Sequence, residues 1–134
     1  MSRENVETLR RGLEAFNRSD VEGALEVLDA EVEWYPAVQP MLGERTVYRG
    51  HQGVRDMFRN MDEVYLEFRI EDTEFRDLGD RVVATCRIRA RGKHSGAESD
   101  SPFGYLFDFR NGNVVRVRSF LDPREALEAA GLRK

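Results

Sequence analysis

Apolar residues recur every three to four positions at the start of the chain: Val6, Leu9, Leu13 and Phe16. That spacing puts them on one face of an α-helix. Asn17-Arg18 closes the run. Ser19-Asp20-Val21-Glu22 has the form of a capping box, with Ser19 accepting from a backbone amide and Glu22 reaching back. It opens a second helix that turns Val21, Ala24, Leu25 and Leu28 inward. The period then drops to two. Val32 and Trp34 alternate with Glu31, Glu33 and Tyr35, which predicts a strand. Pro36 and Pro40 mark a loop, and a short strand near Val47-Tyr48 runs into Gly50. A third helix follows, with Val54, Met57, Phe58 and Met61 on one face.

The second half keeps the period of two. One strand spans Tyr65–Asp77 and turns at Gly79-Asp80. The next, Arg81–Lys93, segregates Val82, Ala84, Cys86, Ile88 and Ala90 from Thr85, Arg87, Arg89 and Arg91. Such segregation marks a half-buried antiparallel strand. After Ser95-Gly96 a third strand puts Phe103, Tyr105, Phe107 and Phe109 on one face. Asn111-Gly112 predicts a tight hairpin, because both central residues of that turn need positive φ. Val114–Leu121 is the returning strand. Asp122 then reads as an N-cap, Pro123 as the first helical residue, and Gly131 as the residue just past the helix end. Helices early and a meander late predict an α+β fold. In it, a curved and mostly antiparallel sheet under three N-terminal helices forms a cone-shaped barrel, with a short C-terminal helix. A cone leaves a cavity.

Composition narrows the functional classes. The chain has 134 residues, of which 40% are apolar, and no linker, repeat or low-complexity tract. One domain over residues 1–134 is the expectation. The net charge of −4 argues against nucleic acid or an anionic membrane as partner. No apolar run approaches the roughly 18 residues that span a bilayer, and Met1-Ser2-Arg3-Glu4-Asn5 has no apolar signal region. Cys86 is the only cysteine, which fits a reducing, cytoplasmic setting. Two distant histidines and one cysteine make no metal site, and no Gly-rich phosphate loop or nucleophile elbow occurs. No cofactor is expected.

Several segments together resemble a known family. They are Val6…Phe16-Asn17-Arg18-Ser19-Asp20, Val32-Glu33-Trp34, Tyr48-Arg49-Gly50-His51-Gln52-Gly53-Val54, and Asn111-Gly112-Asn113-Val114-Val115-Arg116 through Phe120-Leu121-Asp122. In order and spacing they look like the SnoaL-like branch of the nuclear-transport-factor-2-like superfamily. That superfamily includes ketosteroid isomerases, limonene-epoxide hydrolases, scytalone dehydratase, polyketide cyclases and non-enzymatic domains, so the fold does not decide the function. Where the isomerases carry a base, this chain has Trp34. The Tyr and Asn of the epoxide hydrolases fall on Trp34 and Pro36, and their Asp-Arg-Asp group on Ser119, Cys86 and Ile88. The dehydratase type needs buried histidines and an aspartate, and this chain has only His51 and His94. The inward acid of the cyclases falls on Ser119 or Leu121. Each transferable catalytic pattern is broken. The resemblance also implies a homodimer through the outer face of the sheet.

What remains is a set of pocket candidates: Trp34, Tyr48, Phe58, Phe68, Cys86, Ile88, Phe103, Tyr105, Phe107 and Ser119. The bland alternative is that these side chains simply fill the cone as core. Tyr105 is the most informative. A buried phenol wants a hydrogen-bond partner, and one aimed at a ligand carbonyl acts as an electrophile. Cys86 reads as a small buried apolar residue, since a reactive thiolate needs a cation beside it and Arg87 points the other way. His51 is either a capping residue at a helix start or a general base at the pocket mouth. Arg87, Arg89, Arg91, Arg116 and Arg118 fall on the outer face, where Glu98, Asp100 and Asp108 can pair with them. Two functions stand open. One is a domain that binds a small apolar or aromatic molecule. The other is an isomerase, cyclase-like enzyme or hydrolase acting on a hydrophobic substrate with Tyr105 and His51.

Overall fold

The computed structural model describes residues 2–37 and 47–132. The expected loop marker Pro40 lies outside them. Helix α1 spans Ser2–Asn17 and α2 spans Val21–Leu25. Strands β1 (Leu28–Tyr35) and β2 (Tyr48–Arg49) come next, followed by α3 (Gly50–Val64). Strands β3 (Tyr65–Asp77), β4 (Arg81–Gly92), β5 (Glu98–Arg110) and β6 (Asn113–Phe120) complete the sheet, and α4 spans Pro123–Ala129. This is the α+β order that the hydrophobic pattern predicts.

The corner between α1 and α2 differs from the expected capping box. Asp20, not Ser19, is the N-cap of α2, and its carboxylate accepts from the Gly23 amide at 2.9 Å. Ser19 instead adopts φ +63°. The Ser19 amide donates to the Phe16 carbonyl and the Asp20 amide to the Ala15 carbonyl, at 3.0 and 2.8 Å. That pair of bonds is a Schellman motif, which needs a left-handed residue at Ser19. A residue used to end one helix cannot also hold the extended backbone that starts the next. Glu22, freed from the box, pairs with Arg55 of α3.

The six strands are ordered β2-β1-β6-β5-β4-β3. All neighbours are antiparallel except β1 and β6, which run parallel. The sheet does not close, so β2 and β3 are its edges. Register shifts at Glu71–Glu74, where Asp72 has φ +54°, and at Asp108–Phe109 bend it. Helices α1, α2 and α3 pack on its concave side, with Leu9, Leu25, Val54, Met57 and Phe58 in the main core. Asn113 follows the Asn111-Gly112 turn, whose residues have φ +55° and +82°, as the hairpin type requires.

Helix α1 is pinned to edge strand β3. The Asn17 side chain donates to the Ile70 carbonyl at 2.8 Å and accepts from the Ile70 amide at 3.0 Å. One side-chain amide thus replaces a strand neighbour and blunts an exposed edge. Asn5 donates to the Gly79 carbonyl at 3.0 Å, near the other end of the same helix.

The convex face is not wholly charged. Val83 and Leu106 point outward yet are fully buried, because α4 folds over them with Ala126, Leu127 and Phe120. Gly104 permits this approach: a Cβ there would lie 2.8 Å from the Ala126 Cβ. Asp122 caps α4 as expected, accepting from the Arg124 amide at 2.9 Å.

Candidate functional site

Between the sheet and α1–α3 lies a cavity of about 580 Å³. Its walls come from the inward residues of five strands. β1 supplies Trp34, β3 Phe68, Ile70 and Phe75, and β4 Ala84, Ile88 and Ala90. β5 supplies Ser99, Ser101, Phe103, Tyr105 and Phe107, and β6 supplies Ser119. Alternation puts most of them there, since residues two apart share a face, and in β3 the register shift at Glu71–Glu74 turns Phe75 to the same side as Ile70. Leu9, Leu13 and Phe16 of α1 and Met57, Phe58, Asn60, Met61 and Val64 of α3 cover the other side. Tyr48, Pro36 and Leu121 also line it.

The aromatic side chains form two clusters. In one, Tyr105 stands between Phe103 and Phe107, with ring centroids 5.1 and 5.7 Å away, and Trp34 meets it edge-on at 6.3 Å. In the other, where α1, α3 and β3 meet, Phe16 lies 5.2 Å from Phe58 and 5.9 Å from Phe68, and Tyr65 lies 5.1 Å from Phe68. Such tilted, edge and stacked contacts hold the rings in place. A smaller cavity of about 200 Å³ shares Phe16, Phe58, Met61, Tyr65 and Phe68 as its wall.

No described lining residue carries a charge, and none is an acid, a histidine or a cysteine. The ionisable groups among them are the phenols of Tyr48, Tyr65 and Tyr105. Tyr105 is only 7% exposed. Burial, and secondarily the nearby Cys86, push its phenol well above the ordinary range, so it stays protonated. Its hydroxyl makes no hydrogen bond to a described residue. Its oxygen is not among the fully buried polar atoms left without a partner.

Trp34, Tyr48, Phe58, Phe68, Ile88, Phe103, Tyr105, Phe107 and Ser119 are brought together on this one surface. Cys86 and His51 are not among its lining residues. Cys86 shares the inward face of β4, but its sulfur contacts the Phe103 carbonyl at 3.7 Å, and burial pushes its thiol up to about 12. His51 sits in the first turn of α3 with Nε2 2.9 Å from the Leu28 carbonyl. Arg87 pairs with Asp100 at 2.7 Å on the convex face, away from the thiol. Ser99 and Ser101 were legible as lining residues, because they share the parity of Phe103 and Tyr105. Asn60, Met61 and Leu13 carried no signal beyond helical spacing, which does not say whether a residue meets core or cavity.

On the convex face the arginine row pairs as the alternation suggests. Arg91 meets Glu98 at 2.9 Å, and Arg89 and Arg69 share Glu71. Asp108 is shared by Arg81, Arg116 and Arg118 at 3.0, 3.7 and 3.8 Å. Glu33 accepts from the Tyr35 hydroxyl and pairs with Arg49 and Arg116; the Tyr35 hydrogen bond first, then Arg49 and Arg116, hold its carboxyl below the usual range. Among the described residues no cluster of three or more His, Cys, Asp or Glu could hold a metal ion, and no helix is long and apolar enough to cross a membrane.

Solved structures with this architecture are numerous. A nuclear-transport-factor-2-like protein of unknown function from Burkholderia pseudomallei is 27% identical, with a TM-score of 0.78 over 93% of this chain and 95% of that one. TerC, crystallised with polyporic acid, is 25% identical, with a TM-score of 0.77 over 93% and 96%. A Xanthomonas campestris protein, provisionally named a polyketide cyclase, is 22% identical with a TM-score of 0.77 over 92% and 94%, and shows the fold alone. No curated protein matches the sequence. The model of the SnoaL-like domain matches residues 9–117. The chain therefore belongs to the SnoaL-like domain family, within the nuclear-transport-factor-2-like superfamily.

Proposed function

We propose that this protein binds a small, largely aromatic molecule in the cavity between its sheet and helices. One observation carries the reading: an apolar cavity of about 580 Å³ whose described lining carries no charge and includes the buried Tyr105. A space of this size with apolar walls and few polar groups is what small-molecule sites look like. The likeness to TerC, which was crystallised with polyporic acid, supports an aromatic occupant. Binding is favoured over turnover because the described lining offers no carboxylate or imidazole to move a proton.

The test uses the single tryptophan of the chain, Trp34, which lines the cavity. Polyporic acid and a panel of aromatic ketones and hydrocarbons are titrated while Trp34 emission and thermal stability are followed. A ligand at 100 times its Kd adds about 2.7 kcal/mol, which for a domain of this size raises Tm by roughly 10 °C. A panel that neither quenches Trp34 nor shifts Tm overturns the reading.

Two further features belong to the same proposal. The convex face is read as the contact between two copies. Around Asp108 and Glu33, four guanidinium groups (Arg49, Arg81, Arg116 and Arg118) meet two carboxylates, in a chain of net charge −4. On the same face, Nε of Arg118 beside Asp108 and Nε of Arg91 at the Glu98 end of β4 are buried without a partner, and buried donors normally find one. A reducing, cytoplasmic setting accords with a lone, buried Cys86.

A further inference from the structure

The two cavities share a wall. Phe16, Phe58, Met61, Tyr65 and Phe68 line both the cavity of about 580 Å³ and the smaller one of about 200 Å³. The rings form a chain of contacts, Phe58 to Phe16, Phe16 to Phe68 and Phe68 to Tyr65, with centroids 5.2, 5.9 and 5.1 Å apart. Protein interiors are close-packed, and a side chain that borders empty space has no atoms there to oppose its rotation. These five border space on two sides. The frame around them is tied. Asn17, next to Phe16, holds both backbone groups of Ile70. The Lys93 amide donates to the Val64 carbonyl at 2.8 Å, one residue before Tyr65. Glu22 of α2 holds Arg55 of α3. A tied frame around a wall with space on both sides opens by rotamer change, not by a hinge. Met61, unbranched and half-buried, is the member that yields at least cost.

We infer that the site continues through this wall and takes an elongated molecule: an aromatic body in the larger cavity and a flexible chain that crosses into the smaller one and ends there in an ammonium group. This rests on the ligand-binding reading above. The outer side of the smaller cavity is polar, with Asn17, Ser19, Asp20, Asp62, Glu67 and Arg69, and the exposed Leu66 beside them. Asp20 is engaged by the Gly23 amide and by Arg18 at 3.5 Å. Arg69 is engaged by Glu71 at 3.1 Å and by the Asn17 carbonyl at 3.5 Å. Glu67 faces Arg91 across the strands, but Arg91 pairs with Glu98 at 2.9 Å. Asp62 and Glu67 are thus the carboxylates left for a ligand. Helices α1 and α3 also end here, at Asn17 and Val64, and helix C-termini favour positive charge.

The test asks where the chain emerges. The probe is biphenyl joined by a hexyl chain to a methanethiosulfonate, which forms a disulfide with any thiol it reaches. Two variants are compared: Leu66→Cys, on the outer side of the smaller cavity, and Leu121→Cys, at the exposed rim of the larger one. Both carry Cys86→Ala, which removes the native thiol, and cooperative thermal unfolding shows that each is folded. The expected result is rapid modification of Leu66→Cys, read by mass spectrometry and slowed about tenfold by free biphenyl at ten times its Kd. That result supports the passage whatever happens at Leu121→Cys. Modification of Leu121→Cys alone overturns it, because the chain then leaves by the rim. Modification of Leu66→Cys that biphenyl does not slow is surface chemistry and also overturns it. In both cases biphenyl binding to wild type, measured by calorimetry, leaves the ligand-binding reading standing. No binding of biphenyl overturns both. For the end group, the same skeleton ending in trimethylammonium should bind wild type about fivefold more tightly than one ending in carboxylate. Asp62→Asn with Glu67→Gln should remove most of that difference, and equal affinities in wild type overturn the ammonium end.

Discussion

Ser19 shows how one residue can contradict a motif it appears to satisfy. Its left-handed backbone, φ +63°, costs a non-glycine residue roughly 1 kcal/mol or more. Ser19→Gly is expected to raise stability by about 0.5–1 kcal/mol, seen as a higher urea midpoint with an unchanged m-value. Cys86 makes a second residue-scale prediction. Its folded thiol titrates near 12, above the ordinary thiol value, because burial disfavours the thiolate. The unfolded chain therefore loses this proton first as pH rises. Stability is at its full value below about pH 9 and falls between pH 9 and 12, with Tyr105 acting in the same direction. Urea midpoints from pH 7 to 11 should show this decline, and Cys86→Ala should flatten part of it. In the folded protein at pH 8 a thiol reagent should leave Cys86 unmodified, and unfolding should expose it.

At the scale of elements, two contacts decide how helices sit on the sheet. Asn17 satisfies both backbone groups of Ile70 on edge strand β3. Asn17→Ala leaves that donor and acceptor unpaired and is expected to cost about 1–3 kcal/mol. Amide exchange at Ile70 should accelerate more than at Val83 in the sheet centre. Gly104 lets α4 close over Val83 and Leu106. Gly104→Ala places a Cβ 2.8 Å from that of Ala126 and 3.0 Å from the Pro123 Cα, which is backbone and cannot yield cheaply. The expected loss is about 1–3 kcal/mol, and chemical-denaturation curves would measure it. Most elements were legible from the pattern. Strand β3 runs over the predicted residues, and the Asn111-Gly112 turn and the Asp122 cap stand where turn and cap chemistry put them. The α4 contact was not legible, because Val83 and Leu106 sit at outward parity. Only a helix returning over that face turns them into core.

At the scale of the whole molecule, charge divides between faces. The arginine lattice covers the convex sheet around α4, while the cavity on the concave side has no charged group among its described lining residues. If two copies meet through the lattice, Arg116→Glu combined with Arg118→Glu should shift sedimentation toward the monomer and leave Trp34 quenching by a cavity ligand unchanged. Periodicity determined most of the elements and the sides of most strand residues, since these follow from local alternation and spacing, and the named segments carried the resemblance to the family. Alternation also placed Trp34, Tyr105 and Ser119 on inward faces. Whether those residues meet one another, fill the cone or border open space depends on sheet curvature and on how far α1 and α3 stand from it. Those are long-range packing outcomes. That is why Cys86, identical in parity to Ile88, turns its sulfur to a backbone carbonyl and does not line the cavity, while Tyr105 does.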